Sequence, residues 1–222
     1  MKQKKKFDVK HLVLLAVFAA LAYTAVCLIR IPAVAFLKYE PKDVIIVMSG
    51  FILGPLASLI ASFVVALLEM VTISETGIIG CVMNLLSSAC YACTAALVYK
   101  HKRTLAGAVS GLALGSVAMV VVMLLWNWLI TPLYMGVERE AVVGMLVPVF
   151  LPFNAVKALL NSALVLCLYK PLVTALRKTH LIATPSKSEG GFKIGLYILS
   201  ALVLATGILM LLVLQGKSGR RG

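Results

Sequence analysis

Leu105–Ile130 reads LAGAVSGLALGSVAMVVVMLLWNWLI and holds no charged residue. A helix crosses the hydrocarbon core of a bilayer with about 20 apolar residues, so this stretch reads as a membrane span. Working outward, a similar run precedes it at Ile79–Tyr99 and another follows at Val147–Leu176, with Pro148 and Pro152 near its start. Toward the N-terminus lie Val9–Ile29, a polar, proline-bearing stretch Arg30–Asp43 (RIPAVAFLKYEPKD), and then Val44–Leu53 and Leu56–Met70. The last two are short singly and too long together for one span. The Gly54-Pro55 dipeptide between them is a turn signal, which predicts a tight helical hairpin with short or tilted members.

Composition agrees. The chain of 222 residues is 62% hydrophobic and only 13% charged, with a mean hydropathy of +1.04. Soluble domains are typically near half apolar, and so small a core cannot hide the excess. The expected architecture is an all-α integral membrane protein. Residues 1–180 form a bundle of six helices, 181–193 a linker, 194–214 an additional hydrophobic helix (Ile194–Leu214), and 215–222 a basic tail. No internal repeat is visible. Lys2 to Lys6 and Leu12 to Ala22 imitate the first two regions of a signal peptide, but no small-x-small cleavage site follows, so the segment is expected to be a retained helix.

The net charge of +13 is gathered in blocks: Lys2 to Lys10, Lys100 to Arg103, Arg177 with Lys178, and the tail. Basic blocks between apolar runs mark cytoplasmic loops. With the N-terminus cytoplasmic, three of these clusters fall inside, and Glu75, Glu138 and Glu140 fall outside. Trp126 and Trp128 then sit at the outer end of the fifth run. The seventh run fits this scheme less well, because it carries Lys217, Arg220 and Arg221 to the outside. A nucleic-acid groove would need stacking aromatics beside the basic blocks, and these blocks lack them, so no nucleic-acid partner is expected. Cys27, Cys81, Cys90, Cys93 and Cys167 all fall in apolar stretches and read as small packing residues without a disulfide framework.

Chemistry-bearing residues are few. Of the eight acids only Glu69 lies within an apolar run, and His11, His101 and His180 sit at expected inner helix ends. No His/Cys/Asp group has metal-ligand spacing. Gly216-Lys217-Ser218 imitates the end of a phosphate-binding loop, but Leu211 stands where the first glycine belongs. Neither an enzyme nor a resident cofactor is expected.

Three polar groups interrupt the apolar runs. Asn154, Lys157 and Asn161 fall within about 60° of arc on one helical face. A lysine at the centre of a membrane helix costs at least about 2.5–3.5 kcal/mol. Snorkelling is one explanation, but Lys157 stands some way from the start of its run. An ammonium with no acceptor would be unfavourable, so a water-filled cavity is expected to reach it, with a ligand supplying fixed acceptors. The second group is Asn127, Thr131 and Tyr134; the third is Gly77 to Asn84 (GIIGCVMN), where Asn84 alone could be a simple interhelical bond. Together they predict a cavity in the outer half of the bundle, offering amides, hydroxyls, aromatic faces and one ammonium, with little negative charge. That set suits a flat, carbonyl-rich heterocycle or a polyol, and not an inorganic cation. The loop carrying Phe36 to Glu40 could cap it.

Five segments, in order, resemble the substrate-capture (S) components of energy-coupling-factor (ECF) transporters, in particular the riboflavin-specific one. They are FLKYEPKD at 36–43, GFILGP at 50–55, GIIGCVMN at 77–84, Asn127 with TPLY at 131–134, and Pro152-Phe153-Asn154 with Lys157. The resemblance covers roughly residues 7 to 180. It implies a six-helix bundle in a bacterial cell membrane, with riboflavin as transported ligand in a pocket under the first loop. It also implies partners: a transmembrane coupling subunit and two cytoplasmic ATPase subunits. By position, Lys38, Tyr39, Gly80, Asn84, Asn127, Asn154 and Lys157 become the binding residues, and Ala16 and Ala20 the contact with the coupling subunit. The seventh run departs from the family's six. An S component for another vitamin, a self-sufficient secondary carrier and a membrane enzyme are the competing readings.

Overall fold

The computed structural model describes residues 9–34 and 37–178, and residues 201, 204, 205, 207 and 208. The 181–193 linker, the 215–222 tail and the rest of the 194–214 run lie outside the described residues. The chain begins with α1 (Val9–Leu28), continues through a hairpin of β1 (Ile31–Val34) and β2 (Leu37–Tyr39), and then forms α2 (Lys42–Leu53), α3 (Pro55–Thr72), α4 (Gly77–His101) and α5 (Leu105–Leu129). Two short helices follow, α6 (Thr131–Met135) and α7 (Arg139–Met145). A π-helical turn at Leu146–Phe150 leads into α8 (Leu151–Lys178).

Among the described residues, five stretches are long and apolar enough to span a membrane, and only 33–39% of each one's most apolar window is buried. The remainder is an apolar outer surface, with Val17 and Leu21 on α1, Phe63 on α3 and Val117 and Val121 on α5 exposed. Lipid must cover such a surface, so the chain is a multi-pass membrane protein.

Helix α2 is the exception that organises the rest. Its 12 residues are too few to cross a bilayer unaided, yet nine of them are buried. It packs on α1, α3, α4 and α8, so its neighbours, not lipid, surround it. Gly54, at φ 107°, breaks the path between α2 and α3, and Pro55 starts the next helix where a missing N–H costs nothing. The two helices run back along each other: Gly50 faces Ser58 near the turn, and Lys42 meets Glu69 at the far end. The hairpin read from Gly54-Pro55 is therefore present. A main core of Ile46, Val47, Val65, Tyr91, Leu112 and Met119 fills the bundle. A second cluster of Leu37, Tyr39, Phe150, Phe153, Val156 and Leu160 lies beneath the β hairpin, and Leu204 of the C-terminal stretch packs on it.

The stretch expected as a plain loop at Arg30–Asp43 instead carries the antiparallel pair, with Ile31 opposite Tyr39 and Pro32 opposite Lys38. Strands this short leave too little alternation to read from sequence. Burial of Ala33, Leu37 and Tyr39 against the second cluster holds them.

Candidate functional site

At the hairpin end of the bundle the chain buries an ion network. Lys42, the first residue of α2, is 1% exposed. Its Nζ donates to both carboxylate oxygens of Glu69 at 2.6 Å and lies 3.1 Å from Glu40 Oε2. Arg30, between α1 and the hairpin, donates from Nε to Glu40 Oε1 at 2.8 Å and from Nη1 to the Ile73 carbonyl at 3.0 Å. Asp43 receives Ser88 Oγ at 2.5 Å and Asn161 Nδ2 at 3.3 Å, and pairs with Lys157 Nζ at 3.3 Å. Tyr39 donates its hydroxyl to Asn161 Oδ1 at 3.0 Å. Three cations, Arg30, Lys42 and Lys157, thus meet three carboxylates, Glu40, Asp43 and Glu69, drawn from the two flanks of the hairpin, α2, α3 and α8.

The balance decides whether the network is tolerable. Isolated buried charges are strongly unfavourable, and pairing with satisfied hydrogen bonds removes most of that penalty. Burial pushes the Glu40 carboxyl up, but Lys42, Lys157 and Arg30 outweigh it and hold it below the usual carboxylate range. At the rim, the hydrogen bond from Lys38 Nζ (2.7 Å) and that residue's charge lower the exposed Glu75.

A cleft opens above the network. Its empty space is about 780 Å³, open solvent at its mouth included. Lys38 lines it from β2, Asn84 from α4, and Asn154 and Lys157 from α8. These four of the seven sequence-derived residues come together. The other three stand outside the lining. Tyr39 is buried on Asn161. Asn127 is 1% exposed and spends both ends of its amide internally, donating to the Met123 carbonyl and accepting from Thr131 Oγ1. Gly80 lies one turn into α4, where a Cβ would meet Thr76 Oγ1 at 1.7 Å; its bareness leaves room for Thr76, which does line the cleft.

Two expectations are corrected. Lys157 does not wait for water or a ligand to supply an acceptor, because Asp43 pairs it. Nor is the cleft poor in negative charge: Glu40, Glu69 and Glu75 line it, balanced by Arg30, Lys38 and Lys157. Sequence reasoning passed over Lys42 and Asp43. The signal was present in Glu40-Pro41-Lys42-Asp43, a charge-dense step directly before an apolar helix, and in Glu69, the one acid inside an apolar run. Ala16 and Ala20 lie on the exposed side of α1, opposite the buried Leu15, Phe18, Ala19 and Ala22. The five cysteines are unpaired, and among the described residues no group of His, Cys, Asp and Glu could hold a metal ion.

A helical membrane bundle with a polar cleft at one end is the form of a small-solute binding subunit. The family model for the substrate-specific component of ECF transporters matches residues 10–169, and the chain belongs to that family. It is similar to the riboflavin transporter RibU of Staphylococcus aureus (strain TCH60), at 26% identity over 178 residues, covering 76% of this chain and 93% of that protein. It also superposes on the solved S component of a bacterial ECF transporter with a TM-score of 0.64 and 26% identity, over 76% of this chain and 98% of the other.

Proposed function

We propose that this chain captures riboflavin in the cleft between the β hairpin, α4 and α8 and delivers it to an ECF-type importer. The observation that carries the reading is the convergence of Lys38, Asn84, Asn154 and Lys157 from three distant segments on one cleft. The similarity to a riboflavin transporter supports the choice of vitamin. Lys157 donates to a ligand oxygen or ring nitrogen, and Asp43 behind it keeps the ammonium in place. Uptake requires no chemistry on the vitamin and no resident cofactor; the energy comes from partner subunits.

The cleft faces outward and the N-terminus lies in the cytoplasm. The basic block Lys100 to Arg103, at the end of α4 away from the cleft, supports that orientation. A transmembrane coupling subunit docks on the bare face of α1 at Ala16 and Ala20, since small residues allow close helix approach, and two cytoplasmic ATPase subunits drive transport. Replacing both alanines by leucine lowers riboflavin uptake in cells while binding by the purified chain persists. Equal uptake overturns this contact. Uptake that continues in cells without the ATPase subunits favours a self-sufficient carrier.

The binding test is a titration of the purified chain with riboflavin, followed by quenching of flavin fluorescence. The parent binds without ATP. Lys157→Met loses about ten- to a hundredfold in affinity, the scale of a hydrogen bond to a charged group. Lys102→Met, at the opposite end, binds like the parent. A parent that ignores riboflavin and takes up another vitamin refutes the choice of ligand; an unchanged Lys157→Met removes Lys157 from the site.

A further inference from the structure

The cleft's amides are not free to choose what they show a ligand. Asn84 donates from Nδ2 to Glu69 Oε2 at 2.7 Å, and Lys42 donates to both oxygens of the same carboxylate. All three contacts bring donors, and an ionised carboxylate only accepts. The Asn84 amide must therefore turn its NH2 toward Glu69 and its carbonyl oxygen away. Lys42 donates to both carboxylate oxygens and so holds Glu69 beside Asn84. Asn154 is fixed in the same sense, because its Nδ2 donates to the Phe150 carbonyl at 2.8 Å. Ser58 Oγ is the one enclosed side-chain polar atom without a partner among the described residues. Asn154 Oδ1 is thus not sealed in, and its residue lines the cleft. Asn127 and Asn161, by contrast, use both amide ends inside the protein.

We infer that Glu69, gripped by Lys42, sets specificity by holding Asn84 as a hydrogen-bond acceptor, so that the cleft selects a ligand edge carrying an N–H donor beside carbonyl oxygens. Lys157 meets a carbonyl on that edge, and Asn84 Oδ1 takes the N–H. Glu69 is a positioning residue here, acting through Asn84. The inference rests on the riboflavin reading and deepens it, since the imide edge of a flavin has an N–H flanked by two carbonyls.

The test uses the full chain in detergent and two ligands, riboflavin and riboflavin methylated at the imide nitrogen. The parent prefers riboflavin to the methylated form by about tenfold or more, because the methyl removes the donor and leaves an acceptor unmatched. In Glu69→Gln, the new side chain turns its carbonyl to Lys42 and its NH2 to Asn84. Asn84 then reverses and shows NH2 to the ligand, and riboflavin affinity falls by about ten- to a hundredfold. Asn84→Asp alone sets two carboxylates together and also weakens binding. Combined, Glu69→Gln and Asn84→Asp restore an acceptor at the cleft and recover most of the lost affinity, a reversal that loss of packing cannot produce. The inference is overturned if the double variant binds no better than Glu69→Gln, or if the parent takes both ligands equally. The second arm stands even where Glu69→Gln does not fold. A parent that binds neither flavin is a failure of the riboflavin reading instead.

Discussion

The two ends of the bundle are held together by different physics. At the hairpin end, Arg30, Lys42 and Lys157 bind Glu40, Asp43 and Glu69 across four segments. At the other end close contact holds the interior, and the charges of Lys100 to Arg103 stay exposed. Phe51 stacks on Tyr99 at 4.4 Å between ring centroids, Tyr169 meets both rings edge-on, and the Tyr99 and Tyr169 hydroxyls are hydrogen-bonded. Nearby, Gly111 of α5 lies so near α4 that a Cβ there would sit 2.7 Å from the Ala95 carbonyl oxygen. Close packing is insensitive to solvent but leaves no room for a ligand. A charge network leaves a polar cleft above it, at the cost that every member needs its partner. The protein thus confines its expensive interactions to the end where a polar molecule must be held.

Three substitutions sharpen that contrast. The largest effect is expected from Lys42→Met, which strips Glu69 and Glu40 of their shared cation. Removing one partner of a buried pair costs about 3–5 kcal/mol, and the variant should melt far earlier in detergent, if it is recovered at all. A melting curve like the parent's breaks the claim that charge holds this end.

At the opposite end, Gly111→Ala forces α4 and α5 apart. Overpacking of this kind costs about 1–3 kcal/mol, visible as a lower melting temperature. Because the change lies far from the cleft, riboflavin affinity of the folded fraction should stay within about twofold, less than half a kcal/mol. A large loss of affinity would mean the two ends are coupled and the division drawn above is wrong.

The smallest effect belongs to the rim. Lys38 and Glu75 form an ion pair at 2.7 Å in which Glu75 is largely exposed, and exposed pairs contribute little because water and salt screen them. Lys38→Met should leave thermal stability unchanged. Any fall in riboflavin affinity beyond about twofold would then measure contact with the ligand and not the loss of the pair.

Part of the cleft's lining is legible in the sequence. Asn154 and Lys157 stood out because a polar residue inside an apolar run is costly, and the cost is local to the sequence. Asn127 stood out for the same reason, yet its amide is consumed by Met123 and Thr131. One sequence signal thus marks two different fates, since whether an amide faces a cavity or its own helix depends on the next helix over.

The apolar runs alone determined that this chain is a helical membrane protein and placed the ends of α1, α3, α4 and α5 to within two residues, and Gly54-Pro55 determined the α2–α3 turn. Those outcomes follow from interactions between near neighbours along the chain and from lipid, which needs no partner segment. Only the tertiary structure decided that Lys157 answers to Asp43, Lys42 to Glu69 and Asn84 to Glu69, because two ion pairs and an amide–carboxylate hydrogen bond act across 114, 27 and 15 positions. Nothing in the spacing of those residues announces it. It arises when α2, with no lipid to face, is pressed between α1, α3, α4 and α8, and its first two charged residues must find their partners there.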